Sequence, residues 1–459
     1  MHEMKKRLPS SYKDPSGFVF KYKHRLYREV NKSYKRDYDF LMQSGLYKAL
    51  VEKELLISHV EVHSKKLMSG QTYKILQPET IPFISYPYEW CFGQLKSAAL
   101  ATLEIERLAL THGMTLKDAS AFNLQFKANR PVLIDTLSFE IYTPGKPWVA
   151  YKQFCEQFLL PLALAAYVDV RLIKLLQLYL LGIPFDMAVP LLPLSSRLNP
   201  GLLLHIYFHG QNYTKRVPKN LSPKLKFSQT ALLGLVESLE STVKSLTVKK
   251  RSSNWENYYH KFSYTSRAFA AKKQIIKKII QKYKPQTVWD MGANTGEFSQ
   301  LIAEDVDFIL ALDNDGRATE KHYDRCLVTG STRVLPLIVD ITNPTAAIGW
   351  ANQERLSLVE RGSAEMVLAL ALVHHLAISY NLPFSDIARY FRDLGRMLVI
   401  EFVPRPDPEI SEMLKFRKDI FKDYSKENFS AAFKQYFSIV SIHPILESDR
   451  VIYLMRRKK

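Results

Sequence analysis

Carboxylates end three successive apolar runs in the C-terminal half of this chain. Asp290 ends the run in "VWDMGANTG", Asp313 ends "FILALD", and Asp340 ends "VLPLIVD". Gly292 and Gly296 follow the first acid, where they permit a tight turn and let a ligand approach the backbone closely. An acid directly before such a turn repels a pyrophosphate and attracts a cation. These residues predict a site for a positively charged ligand.

Two histidines and a glutamate follow further apolar runs of the same half. His374 and His375 come after "MVLALAL", and Glu401 ends "RMLVIEF". A side chain of either type can take a proton from a nucleophile or hydrogen-bond it. The alternative for the histidines is a packed structural role. For Glu401 it is an ion pair with an arginine such as Arg405 or Arg396.

The elements that position these residues follow from the hydrophobic pattern. Apolar runs of the kind buried in parallel sheets cover 287–291, 308–313, 334–340, 366–372 and 396–402. "FSIVSIHPI" and "RVIYLMRR" predict a final antiparallel hairpin. Apolar residues on one face of Ser266–Tyr283, closed by Pro285, predict a helix. Ligands of such α/β sheets bind at the carboxyl ends of the strands.

The pattern resembles the class I, Rossmann-like S-adenosylmethionine-dependent methyltransferases over about residues 255–459. Two stretches, "GWANQERLSLVERG" and "LALALVHHLAIS", are similar to bacterial nodulation-type (NoeA-like) methyltransferases. The resemblance implies a seven-stranded sheet and S-adenosylmethionine as methyl donor. It does not identify the methyl acceptor. It places the first loop around the methionine part of the donor, the second acid at the ribose and the third beside the adenine. The implied donor-binding residues are Asp290, Gly292, Asn294, Gly296, Asp313, Asp340 and Ile341.

The same resemblance places acceptor-side residues after the fourth strand, where His374 and His375 are the catalytic candidates. Glu401, at the end of the fifth apolar run, is a further catalytic candidate. No Asn-Pro-Pro-aromatic motif follows that strand, which disfavours methylation of an exocyclic adenine amine. Cys326 lies past the second strand, which disfavours a thiolate nucleophile. No His, Cys and Asp cluster with metal-ligand spacing appears in this half.

The segment "LKDASAFNLQFKANRPVLIDTLSFE" in the N-terminal half carries a second set of chemical groups. Asp118, Asn123 and Asp135 supply one carboxylate to orient a hydroxyl, plus an amide and a carboxylate that could hold Mg²⁺. Their spacing resembles kinase-like folds, especially phosphotransferases of the aminoglycoside type. The resemblance implies Asp118 as catalytic acid, Asn123 and Asp135 as metal ligands, and ATP with magnesium as cofactors.

This half also departs from the kinase pattern. Leu116 stands where the usual histidine precedes the catalytic acid, and Gly17 alone remains of a glycine-rich loop. Arg28 and Lys74 are candidate cations, but no lysine and glutamate pair can be named. The alternative is that Asp118 caps a turn with Asn123 and that Asp135 ends a buried strand.

The length of 459 residues predicts two or three domains. We predict an N-terminal α+β domain at 1–245, resembling kinase-like folds and selecting substrate, then a basic linker and leading helix at 246–285. A methyltransferase domain follows at 286–459. The net charge of +19 is concentrated in segments such as 241–284, which predicts RNA or another phosphate-bearing molecule as a partner. The alternative is that this charge serves only general solubility.

Composition indicates a globular protein of a reducing, cytoplasmic compartment. Three widely separated cysteines form neither a disulfide framework nor a metal site. The first 17 residues lack the apolar core of a signal peptide, and the greasiest run, Phe158–Val168, is too short to span a bilayer.

The interpretation that fits most features is a methyltransferase whose N-terminal half selects or presents the acceptor. A bifunctional protein with a phosphotransferase domain, an RNA-binding methyltransferase and a non-catalytic donor-binding module stay open as alternatives.

Overall fold

A computed structural model describes residues 5–208, 210, 227–248, 265–415 and 418–459. The chain forms two compact units. Unit 1 comprises residues 1–250 with 348–355, and unit 2 comprises residues 251–347 with 356–459. Residues 249–264 of the predicted linker lie outside the described residues, so the predicted domain boundaries stay predictions.

Unit 2 contains a seven-stranded sheet in the order β12-β11-β10-β13-β14-β16-β15. The first five strands along the chain run parallel, and β16 is antiparallel to both β14 and β15. This confirms the predicted α/β class with its reversed final strand. The strands are β10 Thr287–Met291, β11 Phe308–Asp313, β12 Val334–Ile338, β13 Ala364–Ala369, β14 Gly395–Phe402, β15 Phe437–Pro444 and β16 Val451–Arg457.

The helices of unit 2 connect these strands. Ser266–Tyr283 has the predicted bounds, and the Thr265 side chain accepts a hydrogen bond from the nitrogen of Ala268 at its start. Its buried residues pack into the sheet core, which places one apolar stripe of the helix inward. The other α-helices are Glu297–Ile302, Gly316–Thr329, Phe384–Leu394, Pro408–Leu414 and Lys426–Tyr436, with a 3-10 turn at Ala303–Asp305 and a π-helical turn at His375–Ser379.

The strand order reverses between β10 and β13, because the chain builds outward from β10 through β11 to β12 and then returns to the other side. The loops after parallel strands meet at the carboxyl edge of such a sheet, next to this reversal. The middle of the sheet is fully buried, as expected for strands that read as continuous apolar runs.

Unit 1 opens with a five-stranded antiparallel sheet in the order β1-β2-β3-β5-β4. Two short antiparallel pairs follow, β6 with β9 and β7 with β8. The strands are β1 Lys6–Arg7, β2 Gly17–Tyr22, β3 Arg25–Asn31, β4 His59–Glu61, β5 Thr72–Pro78, β6 Met114–Leu116, β7 Leu124–Lys127, β8 Arg130–Leu133 and β9 Phe139–Ile141.

Helices make up much of the described remainder of unit 1, among them a largely buried twenty-residue helix at Phe92–Thr111. None of the described helices has both the length and the hydropathy needed to span a bilayer. The other α-helices are Lys35–Gln43, Leu46–Glu52, Tyr151–Phe154, Leu160–Tyr167, Leu175–Leu178, Phe185–Ala188, Pro200–Leu202 and Gln229–Ser245. Cys155–Leu159 and Leu203–Phe208 are π-helical, and 3-10 turns lie at Pro9–Ser11, Lys32–Tyr34, Pro87–Glu89, Ala121–Asn123, Val170–Lys174, Val189–Leu191, Leu194–Leu198 and Trp350–Asn352.

Candidate functional site

A pocket in unit 2 lies at the carboxyl ends of β10, β11, β12 and β13. Three acids from the ends of different strands, Asp290, Asp313 and Asp340, line this one pocket. Such convergence requires the parallel order of the sheet, because the three residues are far apart in sequence. The remaining lining residues are Phe269, Lys272, Gly292, Ala293, Asn294, Phe298, Leu312, Asn314, Val339, Ile341, Thr342, Leu370, Ala371, Leu372, His375, Leu376, Ser379 and Tyr380.

Asp290 is the most buried of the three acids. Its Oδ2 accepts a hydrogen bond of 2.6 Å from Oγ of Ser299. Burial, with the nearby charge of Asp313, raises the pKa of Asp290 to about 6. A cation beside this carboxylate would restore its charge, so the position favours a positively charged ligand.

The loop after β10 has the left-handed backbone that its glycines permit. Gly292 has φ 79°, Asn294 has φ 50° and Gly296 has φ 81°. A Cβ on Gly296 would lie 2.0 Å from Nε2 of His322, so glycine is required there on two grounds. Asparagine tolerates the left-handed region better than most residues, which accounts for Asn294 where a middle glycine is usual.

Asp313 ties the loop to the end of β11. Its Oδ2 accepts a hydrogen bond of 2.7 Å from the backbone nitrogen of Asn294, and its Oδ1 accepts one of 2.8 Å from that of Asp315. Desolvation in the pocket raises the pKa of Asp313 to about 6. The carboxylate therefore organises the loop and faces the pocket at the same time.

Asp340 follows β12 and begins a turn. Its Oδ1 accepts hydrogen bonds from the nitrogen of Thr342 at 2.9 Å and from the hydroxyl of Thr342 at 2.6 Å. Ile341 lines the pocket beside it and offers an apolar surface. An aromatic base would meet both features here, a hydrogen-bond acceptor and an apolar contact.

The two histidines differ in environment although they are neighbours. His375 lines the pocket, whereas His374 is fully buried and its Nε2 lies 3.1 Å from Oε2 of Glu409. Burial, and then the charge of His374, lowers the pKa of His375 to about 3. Of the two candidates, His375 is therefore the one placed to meet a bound acceptor.

Glu401 lies in a buried ion-pair network and does not line the pocket. Its Oε2 is 2.6 Å from Nζ of Lys272 and accepts a hydrogen bond of 2.9 Å from the nitrogen of Ala371. Oε1 is 3.7 Å from Arg450. The alternative predicted for Glu401 was an ion pair with Arg405 or Arg396. Its basic partners are instead Lys272 and Arg450, because β16 pairs with β14 and brings Arg450 next to Glu401.

Sequence reasoning missed several residues of this region. Lys272 lies at helical spacing from the apolar Phe269 and Ile276, and that placement was the available signal for its burial. Ser299, His322 and Arg450 gave no local signal, because each reaches the site only through tertiary packing.

The predicted residues of unit 1 also come together. The side chain of Asn123 hydrogen-bonds Asp118, and its Nδ2 lies 3.5 Å from Oγ of Ser138, which donates to Oδ2 of Asp135 at 2.9 Å. Burial, and then the charge of Asp135, raises the pKa of Asp118. The three predicted side chains, all on the part of the chain that connects β6 to β9, therefore form one polar cluster.

Arg28 supplies the positive charge of this cluster. Its guanidinium lies 2.6 Å from Oδ1 of Asp135 and 2.8 Å from Oδ2 of Asp14. The other candidate cation, Lys74, pairs with Glu61. Because Arg28 and Ser138 together engage both oxygens of Asp135, these residues do not fit a magnesium ion as they are arranged.

No family model matches the chain. The nodulation protein NoeA of Rhizobium meliloti (strain 1021) is 33% identical over 462 residues, covering 99% of this chain and 96% of that protein. The N-methyltransferase NodS from Bradyrhizobium japonicum WM9 is 9% identical, with a TM-score of 0.33 over 42% of this chain and 98% of its own. The magnesium protoporphyrin IX methyltransferase ChlM from Synechocystis PCC 6803, solved with S-adenosylhomocysteine, is 12% identical, with a TM-score of 0.33 over 44% of this chain and 92% of its own. Likenesses at this level carry no information about substrate.

Proposed function

This chain belongs to the family of the nodulation protein NoeA, and we propose that it is an S-adenosylmethionine-dependent methyltransferase. The observation that carries the proposal is the convergence of Asp290, Asp313 and Asp340 from three strand ends on one pocket. The methyl donor bears an ammonium and a sulfonium, which suit a pocket rich in carboxylates.

The residues of the pocket fit this donor part by part. Asp290, beneath the loop with left-handed Gly292 and Gly296, receives the ammonium group. Asp313 accepts hydrogen bonds from the ribose hydroxyls, and Asp340 with Ile341 holds the adenine.

The bound donor supplies an electrophilic methyl group that an acceptor attacks in line. The chain contributes alignment and exclusion of water, which supply most of the rate in such a transfer. His375 faces the acceptor and hydrogen-bonds its nucleophilic atom. Glu401 and His374 do not contact the acceptor; they position the pocket-lining residues Ala371 and His375. A cytoplasmic location is part of the proposal, since Cys91, Cys155 and Cys326 are free thiols that suit a reducing compartment.

Calorimetric titration with S-adenosylmethionine tests the proposal. Asp313→Asn is expected to weaken binding at least tenfold, because the single amide oxygen cannot accept hydrogen bonds from the ribose hydroxyls and from the nitrogen of Asn294 together. Asp307→Asn is the matched control: Asp307 is exposed and precedes the same strand at its amino end. Equal affinities for all three proteins, or no binding by the wild type, would refute the assignment. Tritiated methyl transfer into fractionated extract then identifies the acceptor class.

A second candidate function is phosphotransfer by unit 1 with ATP and magnesium. The clustering of Asp118, Asn123 and Asp135 favours it, and the ion pair between Arg28 and Asp135 counts against it. ATP turnover by the full chain that disappears in Asp135→Ala would support this candidate. Absence of turnover in the wild type would remove it.

Binding of RNA or another phosphate-bearing partner is a third candidate function. The described part of the basic segment carries exposed lysines at Lys277, Lys278, Lys282 and Lys284 on one helix and its end. Binding of a random-sequence RNA that weakens steeply with salt would support it. Failure to bind at low salt would remove it.

A further inference from the structure

We propose that His374, His375 and Glu409 bind a divalent transition-metal ion. The ion would lie beside the pocket lined by Asp290, Asp313 and Asp340, on the side where His375 faces the acceptor. Each of these residues offers one ligand atom, and the three atoms lie within 4.8 Å of one another. Neutral imidazole nitrogens with one carboxylate oxygen form a donor set that Zn²⁺ and its neighbours in the first transition row prefer.

The spacing of two of the ligand atoms already suits one ion. Nε2 of His374 and Oε2 of Glu409 are 3.1 Å apart. Two ligands about 2.0–2.1 Å from a tetrahedral or octahedral ion are roughly 2.8–3.4 Å apart. The ion would replace the proton that the two atoms now share, with little movement of either side chain.

His374 is held through one of its two ring nitrogens. The residue is fully buried, and its Nδ1 has no hydrogen-bond partner. A buried imidazole kept for packing alone normally satisfies both nitrogens, since an unsatisfied polar atom is destabilising. Glu409 is thus the partner that orients this ring through Nε2, and an ion bound at Nε2 would leave the environment of Nδ1 as it is now.

The neighbouring cations do not prevent the ion from binding. Arg450 makes two hydrogen bonds to Asp407, of 2.6 and 2.9 Å, and Lys272 pairs with Glu401 at 2.6 Å. Glu409, although 3.4 Å from Arg450, is thus a third carboxylate beside two cations. This group of five charges carries one excess negative charge, which favours a cation.

The position of the ion gives it a chemical role that rests on the proposed methyltransferase function. His375 lines the same pocket as the donor-binding acids, so the ion borders the space for the acceptor. An acceptor hydroxyl bound to the ion would be deprotonated more readily, because the metal would stabilise the alkoxide, and its proton would pass to solvent as the acceptor binds. The oxygen then forms a bond to the methyl carbon as the bond from that carbon to sulfur breaks. The acceptor class is accordingly a hydroxyl compound.

The test is a titration of the chelator-treated full chain with Co²⁺ alone, followed by its visible absorption. We expect one equivalent to bind the wild type and at least tenfold weaker binding in Glu409→Gln, which keeps the shape of the side chain. His375→Ala is the second variant, and His443→Asn, on β15, is the control that should bind as the wild type does. Circular dichroism and the thermal midpoint verify that each variant is folded.

The outcomes separate this site from the proposed function. Co²⁺ binding that depends on Glu409 and His375 supports the site, whether or not S-adenosylmethionine binds. A wild type that binds S-adenosylmethionine but not Co²⁺ overturns the site and leaves the methyltransferase proposal intact. Equal Co²⁺ affinity in the wild type, Glu409→Gln and His375→Ala also overturns it.

Discussion

The backbone nitrogen of Asn294 donates a hydrogen bond of 2.7 Å to the carboxylate of Asp313. This bond joins the loop after β10 to the end of β11. Two of the regions proposed to bind S-adenosylmethionine are therefore fixed relative to each other by the protein itself. A binding loop that is ordered before the ligand arrives loses less conformational entropy on binding.

Asn294 should tolerate glycine and reject a β-branched residue. Its φ of 50° is left-handed, a region that disfavours ordinary side chains by about 1–2 kcal/mol. We expect Asn294→Val to lower the thermal midpoint and to weaken S-adenosylmethionine binding at least tenfold, and Asn294→Gly to keep both near wild type. Calorimetry and thermal unfolding measure the two effects. A valine variant that behaves like the glycine variant would contradict this account of the loop.

Gly296→Ala should be more damaging than a small substitution usually is. The added methyl would meet the ring of His322 at 2.0 Å, and the φ of 81° is unfavourable for alanine. We expect a loss of about 1–3 kcal/mol in the free energy of unfolding. His322→Ala in the same chain removes the collision but not the backbone strain, so it should restore part of the loss. Full restoration would show that strain at Gly296 is unimportant.

Binding of S-adenosylmethionine should weaken below pH 6. The pKa values of Asp290 and Asp313 are raised to about 6 in the free protein, and a cationic ligand binds the ionised forms. As the pH falls through 6 these carboxyls are protonated first, so affinity drops by up to about tenfold per unit for each. Calorimetry from pH 5 to 8 measures this slope, and Asp313→Asn should reduce it. An affinity that is flat across the range would exclude these acids as ligands.

Unit 1 should lose stability between about pH 5 and 8 because of Glu106. Burial raises the pKa of Glu106 to about 8, although Thr115 and the nitrogen of Leu116 donate hydrogen bonds of 2.7 Å to it. The unfolded chain releases this proton near pH 4.5, so between the two values the folded state binds more protons and stability falls as pH rises. The full effect is on the order of 5 kcal/mol.

Thermal unfolding across that pH range, with Glu106→Gln as comparison, measures the contribution of Glu106. The amide keeps a hydrogen-bond acceptor and does not titrate, so its profile should be flatter than that of the wild type. Parallel profiles would mean that Glu106 is ionised in the folded protein.

Lys272 should matter to stability far more than its neighbour Lys273. Lys272 is buried against Glu401, whereas Lys273 is half-exposed beside Glu297. Removing one partner of a buried pair typically destabilises by about 3–5 kcal/mol, and an exposed pair contributes about 0–1 kcal/mol. Lys272→Met should therefore lower the thermal midpoint strongly and Lys273→Met little. Similar midpoints for both variants would place Lys272 outside the network.

Much of unit 2 could be predicted from sequence because its strands are buried on both faces. β10 and β11 have the predicted bounds, and so does the helix Ser266–Tyr283. β13 ends at Ala369 where the apolar run continues to 372, since Ala371 has φ 50° and leaves the strand. Hydrophobicity records burial but not this local turn.

The candidate metal ligands show where sequence reasoning stops. His374 and Glu409 meet because the helix Pro408–Leu414 lies near the end of β13, and their separation in sequence matches no ligand spacing. The same holds for Arg450, which reaches Glu401 from the position just before β16. Such contacts depend on tertiary topology, which local patterns of residues do not encode.

The antiparallel insertion of β16 between β14 and β15 has a consequence for biosynthesis. Both neighbours precede β16 in the chain, so each leaves the ribosome with an unsatisfied hydrogen-bonding edge. A nascent chain in that state exposes apolar strands that other polypeptides can join. Until residues 451–457 leave the ribosome and pair with β14 and β15, binding by a chaperone would protect these two strand edges from such association.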